Sequence, residues 1–278
     1  MDPVGKAIWY IESHFAEAIT LDDIAEISGL SRFALSRAFG TATDRSVMRY
    51  VRGRRLSEAA KSLANGAGDI LSLALETGYG SHEAFSRAFR DQFGLTPEAL
   101  RAQRSLDNIP LVEPLIMDKS LLVKLEPPRF EKGKLMLIAG LMERYSYETS
   151  GAIPSQWQRF VPYIGNIPGQ IGSAVAYGVH ANTDDAGNLD YLTGVEVESF
   201  DGLPKELTRL RIPARRYAVF THKDHISKVR STQYTIWSQW LPDSGHEAAD
   251  APDFERYDER FNPRTGAGPM EIWIPLSK

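Results

Sequence analysis

The four residues Ser-Arg-Ala-Phe occur twice, at 36–39 and 86–89, inside "GLSRFALSRAF" and "GYGSHEAFSRAF". Each copy follows an alanine and, four positions on, a glycine: Ala25 with Gly29, and Ala74 with Gly78. The alanines are offset by 49 positions and the serines by 50, so the second turn holds one residue more. Such a repeat is a strong constraint, because both copies must adopt the same supersecondary unit. A small residue where two helices cross, a glycine able to take the left-handed conformation, and a second short amphipathic helix make a helix-turn-helix. Leu35 or Phe85, with Phe39 or Phe89, would hold each second helix to its core.

The surrounding sequence supports an all-helical segment. Ile8, Ile11 and Phe15, then Leu21, Ile24 and Ala25, then Leu56, Ala59, Ala60 and Leu63 recur at helical spacing. Thr20, Ser31 and Asp69 stand at N-cap positions, Asn65-Gly66 ends a long helix near 45–64, and Thr96-Pro97-Glu98 opens another. From about 105 to 119 the helical stripe stops and two prolines enter, which reads as a linker. Beyond it, "LLVKLEPPRF", "KLMLIAG", "SAVAYGVH", "YLTGVEVESF", "ELTRLRIPARRYAVFTH" and "MEIWIPL" read as strands, with helices near 154–163 and 226–241. "WQRFVP" at 157–162 is echoed by "WSQWLP" at 237–242, and "VEV" at 195–197 by "MEI" at 270–272, which suggests two βαββ units about a pseudo-twofold. The expected fold is therefore multidomain: an all-α double helix-turn-helix domain at 1–104, a linker at 105–119, and an α+β domain at 120–278.

Charge bears on the partner. The chain's net charge is -4, but 1–104 balances thirteen basic against thirteen acidic residues, and Arg45, Arg49, Arg52, Arg54 and Arg55 crowd one stretch without an acid. A phosphate backbone responds to that local charge, not to the sum. The outward faces of the second helices would present Arg32, Phe33, Ser36 and Arg37 in the first unit, and Ser81, His82, Glu83, Ser86 and Arg87 in the second. Arg suits guanine or phosphate, Glu the cytosine amino group, Ser and His several edges. Two such helices could enter successive major-groove faces of double-stranded DNA about one turn, ~34 Å, apart.

These segments resemble the DNA-binding domain of the AraC/XylS family of transcription regulators, in "LDDIAEISGLSRFALSRAF", "VMRYVRGRRLSEAAKSL" and "LALETGYGSHEAFSRAFRDQFGLTPEALR". "GTATDR" is less basic than the family pattern, and Leu73-Ala74 replaces its common Ile-Ala pair. The resemblance implies DNA-contacting roles for Phe33, Ser36, Arg37, His82, Glu83, Ser86 and Arg87, and RNA polymerase as a further partner. The order, with the DNA-binding domain first, resembles the smaller group whose second domain is GyrI-like, matched in "PPRF", "GVEV", "IPARRYAVFTH", "TQYTIWSQWLP" and "MEIWIPL". That resemblance implies a small lipophilic, cationic ligand of the multidrug type. It makes Glu271 the ligand carboxylate, with Glu196, its partner in the weaker repeat, second. An acid beside an aromatic, as in Glu271-Ile272-Trp273, can neutralise a desolvated cation, helped by rings such as Tyr145, Tyr147, Trp157, Tyr177 and Trp237.

Other chemistry finds little support. With no cysteine there is no disulfide, thiolate metal site or thiol nucleophile. His180, His222, His225 and His246 lack the pairing of a metal helix, so no metal and no cofactor are expected. Glycine-rich "GNIPGQIGSA" follows a helix and lacks the Lys-Ser of a phosphate loop. The N-terminal apolar run is broken by Glu12 and His14, so neither a signal peptide nor membrane contact is expected, and the location is taken as cytoplasmic. The expectation is a DNA-binding regulator, not an enzyme. The alternative is a drug-sequestering module or weak hydrolase with ancillary DNA binding.

Overall fold

The computed structural model describes residues 2–116 and 119–277, so positions 117 and 118 of the expected linker lie outside the described residues. Helices α1 (Pro3–His14), α2 (Leu21–Ser28), α3 (Arg32–Thr43), α4 (Val47–Ala64), α5 (Ile70–Glu76), α6 (His82–Phe93) and α7 (Pro97–Gln103) come before any strand. Their ends follow the residues expected to set them. Thr20 accepts from the Asp23 amide in a capping box, and Ser31, Asp69 and Thr96 cap α3, α5 and α7, while α6 is capped by Ser81, which was expected to face DNA instead. Gly29 and Gly78 sit at φ 74° and 82°, the left-handed region where the two turns need a residue without Cβ. The described part of the linker is tied down: Val112 N donates to Ser57 Oγ (2.8 Å), Leu115 N to Tyr50 Oη (2.9 Å), and Arg54 to the Val112 carbonyl (2.9 Å).

The second part is one antiparallel sheet: β1 (Arg129–Gly133), β2 (Met136–Ser146), β3 (Ala176–Ala181), β4 (Asn188–Glu196), β5 (Thr208–Ile212), β6 (Arg215–His222), β7 (Asp253–Tyr257) and β8 (Met270–Leu276). Helix α8 (Ile153–Phe160) follows β2. Helix α9 (Val229–Thr235) follows β6 and continues as a π-helical turn through Ile236–Trp240. The strand order β1-β6-β8-β7-β3-β4-β2-β5 maps onto its own reverse when β1–β4 exchange with β5–β8. The two βαββ units, β2-α8-β3-β4 and β6-α9-β7-β8, therefore meet at the β3–β7 seam, and β1 and β5 each cross to the other unit's edge.

Two strand expectations need correction, and one strand was not expected. "LLVKLEPPRF" gives a strand only from Arg129, because Pro127 and Pro128 cannot donate to a ladder and restrict the residues before them. "ELTRLRIPARRYAVFTH" breaks at Pro213 into β5 and β6 for the same reason. β7, which lines the seam, was not expected at all, since three of its five residues are charged.

The two parts share a core. Ile8, Ile24, Leu35, Phe39 and Tyr50 of the helical part are buried in one apolar cluster with Ala218, Phe220, Trp237, Ile272 and Ile274 of the sheet part. Around the second helix-turn-helix a separate cluster forms from Leu56, Leu63, Leu73, Phe85, Phe89, Phe93 and Leu100.

Candidate functional site

The second reading helix, α6, is open to solvent along its outer face. Glu83 and Arg87 are exposed, and His82 Nε2 lies 2.9 Å from Glu98 Oε1. Ser81 is spent on the cap, accepting from Ala84 N (3.2 Å), and the Ser86 hydroxyl is buried without a partner among the described residues.

Helix α3 is different. The expectation that Phe33, Ser36 and Arg37 face solvent is overturned for Arg37, which is buried, and limited for Phe33 and Ser36, which are half-buried, because this face packs against the sheet part. Arg37 is only 4% exposed and donates to Asp253 Oδ2 on β7 at 2.6 Å. Its guanidinium lies 5.6 Å from the Trp237 ring centre, and Phe33 meets the same ring edge-on at 5.6 Å. Tyr147 Oη donates to the Ser36 carbonyl (3.0 Å), and Arg32 pairs with Asp22 and Asp185. Arg230 of α9 donates to the carbonyls of Thr41 (2.6 Å) and Ala42 (2.9 Å) and pairs with Asp44 (2.7 Å), placing a cation at the negative end of α3.

Burial alone would raise the Asp253 carboxyl, but Arg37 and His180 hold it below the ordinary carboxylate range. Burial would lower the Arg37 guanidinium, yet the charge of Asp253, with Tyr147 and Glu255, keeps it firmly protonated.

The arginine-rich stretch is also only partly available. Arg54 is buried in an ion pair with Glu12 (3.0 Å), and Arg55 donates to the Phe15 and Glu17 carbonyls. Arg49 reaches Glu148 (2.8 Å), and Arg52 is exposed.

The residues expected to bind ligand fall on opposite faces of the sheet. Glu271, Trp273, Glu196 and Tyr177 lie on the face away from α8 and α9, because alternate residues of a strand point to opposite sides. There Glu271 is met by Arg129 (2.8 Å) and Arg256 (3.5 Å), and Glu196 by Lys134 (3.0 Å). Both carboxylates are already neutralised, so the expectation that Glu271 serves a ligand cation is not supported by its surroundings. Trp237 is fully buried in the shared core, and Tyr147 is committed to α3.

The carboxylate that does sit among rings was missed. Glu255 of β7 is 6% exposed on the helix-bearing face. It accepts from Tyr257 Oη (2.7 Å), Gln233 Nε2 (2.9 Å) and Tyr191 Oη (3.2 Å), and among the described residues it has no ion pair. Trp157 closes the group, donating to Tyr191 Oη (3.1 Å) with its ring 5.1 Å from that of Tyr257, and Tyr145 joins Tyr191 and Trp157 in one apolar cluster. Burial first, then the Glu255 charge, push the phenols of Tyr191 and Tyr257 well above their ordinary range, so both remain neutral donors. The available signal was "DFERY", an acid flanked by aromatics, but its charges hid the strand.

Residues 126–277 match the family described as "GyrI-like small molecule binding domain", and 24–103 match a helix-turn-helix domain. The transcriptional regulator Rob of Salmonella typhimurium is 25% identical over 287 residues, covering 98% of this chain and 96% of Rob. The regulatory protein SoxS of Escherichia coli is 38% identical over 98 residues, covering 35% of this chain and 92% of SoxS. A solved structure of SAV2435 bound to tetraphenylphosphonium covers 55% of this chain and 94% of its own at a TM-score of 0.47 and 17% identity. Among the described residues no helix is long and apolar enough to cross a membrane. The chain belongs to the GyrI-like small-molecule-binding family through residues 126–277 and carries an AraC-type DNA-binding helix-turn-helix domain ahead of it, the arrangement of a transcription regulator.

Proposed function

We propose that the chain is a ligand-responsive regulator that reads DNA with α3 and α6, works as units 1–104 and 120–278 joined by 105–119, and takes a small lipophilic cation at Glu255. One observation carries the ligand class. Glu255 is a buried carboxylate among tyrosine and tryptophan rings, held by neutral donors and lacking an ion pair among the described residues. A desolvated carboxylate is strongly unfavourable without a counter-charge, and aromatic faces add cation-π attraction, so the cluster favours a cation with apolar substituents. We assign DNA contacts to His82, Glu83 and Arg87 on the open α6 and, once α3 is uncovered, to Arg32, Phe33, Ser36 and Arg37; Ser81, spent on the cap, and Ser86, whose hydroxyl is buried, are not assigned.

Tetraphenylphosphonium, a cation without hydrogen-bonding groups, should raise the melting temperature of the full chain more than a neutral arylphosphine oxide does, and Glu255→Gln should remove the difference. An equal response to both compounds, or an undiminished one in Glu255→Gln, would sink the ligand reading. For DNA, the full chain should enrich one sequence from genomic fragments at moderate salt, and Arg87→Ala should weaken that binding by about 1 to 3 kcal/mol if Arg87 reads a base.

A further inference from the structure

We propose that the first DNA reader is held shut by the GyrI-like domain, with Arg37 docked on Asp253 beside the ligand carboxylate, so that binding of a lipophilic cation and release of α3 are one event. This rests on the reading of Glu255 as a cation site and of α3 as a DNA reader.

The contacts are made by the face of α3 that would enter a groove. Arg37 is buried on Asp253, Phe33 is packed on Trp237, the Ser36 carbonyl is taken by Tyr147, and Arg32 is drawn to Asp185. A helix so covered cannot lie in a major groove at the same time.

The ligand site and this contact share their supports. Asp253 and Glu255 project from the same face of β7, two residues apart, and the Arg37 guanidinium is held protonated by both charges. On the other side, α9 with its π-helical continuation bears Arg230, which caps α3, then Gln233, which donates to Glu255, then Trp237, which carries Phe33 and Arg37. A cation settling on Glu255 would repel the Arg37 guanidinium and take Gln233 from its place, so it binds better when α3 has left. Differential affinity of that kind is what lets a ligand shift a two-state equilibrium. The closed state is also imperfect: Arg37 Nε is buried without a partner among the described residues.

The chain has no cysteine, so Ser36→Cys introduces a single thiol on half-buried α3 surface. In the full chain this thiol should react slowly with a maleimide, and saturating tetraphenylphosphonium should speed it roughly tenfold or more. Arg230→Ala with Asp185→Ala, which removes surface supports of the contact without touching Glu255, should speed it with no cation present. The same double change in the cysteine-free chain should tighten binding to the selected duplex by about tenfold, the worth of a helix-end cation and two exposed ion pairs, which tests the contact even if Ser36→Cys disturbs α3. Glu255→Gln should abolish the cation effect and keep that of the double change. Labelling that is equally fast in every sample, with DNA affinity unmoved by the double change, would overturn the proposal. Release by the double change with no response to the cation would keep the closed reader and sink the cation site on which its trigger rests.

Discussion

Glu255, Glu271 and Glu196 are all buried carboxylates of one sheet, and what distinguishes them is the group opposite each. Glu271 faces Arg129 and Arg256 and Glu196 faces Lys134, whereas Glu255 faces phenols and an amide. Glu271→Gln should therefore cost about 1 to 3 kcal/mol in denaturant unfolding, less than for a sealed ion pair because Arg129 remains 43% exposed, and should leave the tetraphenylphosphonium shift intact. Asp253 gives a pH prediction. Its folded carboxyl is held below the ordinary value of about 3.9, so its contribution to the closed contact is complete above that value and is lost as pH falls through the lower, folded one. Small-angle scattering should accordingly show the closed form unchanged from neutral pH down to about 4, and opening only below it. An opening centred near neutrality would contradict Asp253 as the anchor. At this scale the sequence indicated which residue types would matter, but not which acid lacked a cation, because Arg129 and Arg256 reach Glu271 from positions 142 and 15 residues away.

At the scale of elements, Gly40 shows how closely α3 and the 3-10 segment Tyr147–Ala152 approach. A Cβ at Gly40 would overlap the Tyr147 ring. Gly40→Ala should strengthen α3 as a helix by up to ~1 kcal/mol while prying it from Tyr147, so maleimide labelling at Ser36→Cys should quicken although the helix itself is firmer. Slower labelling would mean that the ring moves aside and the contact survives. Helices were well marked beforehand: Thr20, Ser31, Asp69 and Thr96 cap where expected, since a cap is a local hydrogen bond within four residues. β7 was not, because Asp253, Glu255 and Arg256 are tolerated in a central strand only through partners on α3, α9 and β8. Local pattern carries no sign of partners that distant.

For the whole molecule, the sheet's pseudo-twofold places its seam at β3–β7, and the first reader docks beside that seam while α6 stays free. Opening would uncover Arg37 and free the already exposed Arg32 from Asp185, so that both could meet phosphate. The Arg230→Ala, Asp185→Ala chain should then lose DNA affinity more steeply with salt, its log–log slope growing by about 1 to 2 between 50 and 200 mM, since each neutralised phosphate adds roughly 0.9. Fluorescence anisotropy measures this, and an unchanged slope would mean that neither arginine gains a phosphate contact. The sequence by itself determined the duplicated reader, its caps and left-handed glycines, and the paired βαββ units, because each of these is written in residues near one another or repeated in order. Only the tertiary structure decided which carboxylate stands without a counter-ion and that α3 is covered while its twin is open. Both depend on burial and on charges brought together across more than two hundred positions, as Arg37 is to Asp253, and electrostatic strength is set by that proximity and not by the letters alone.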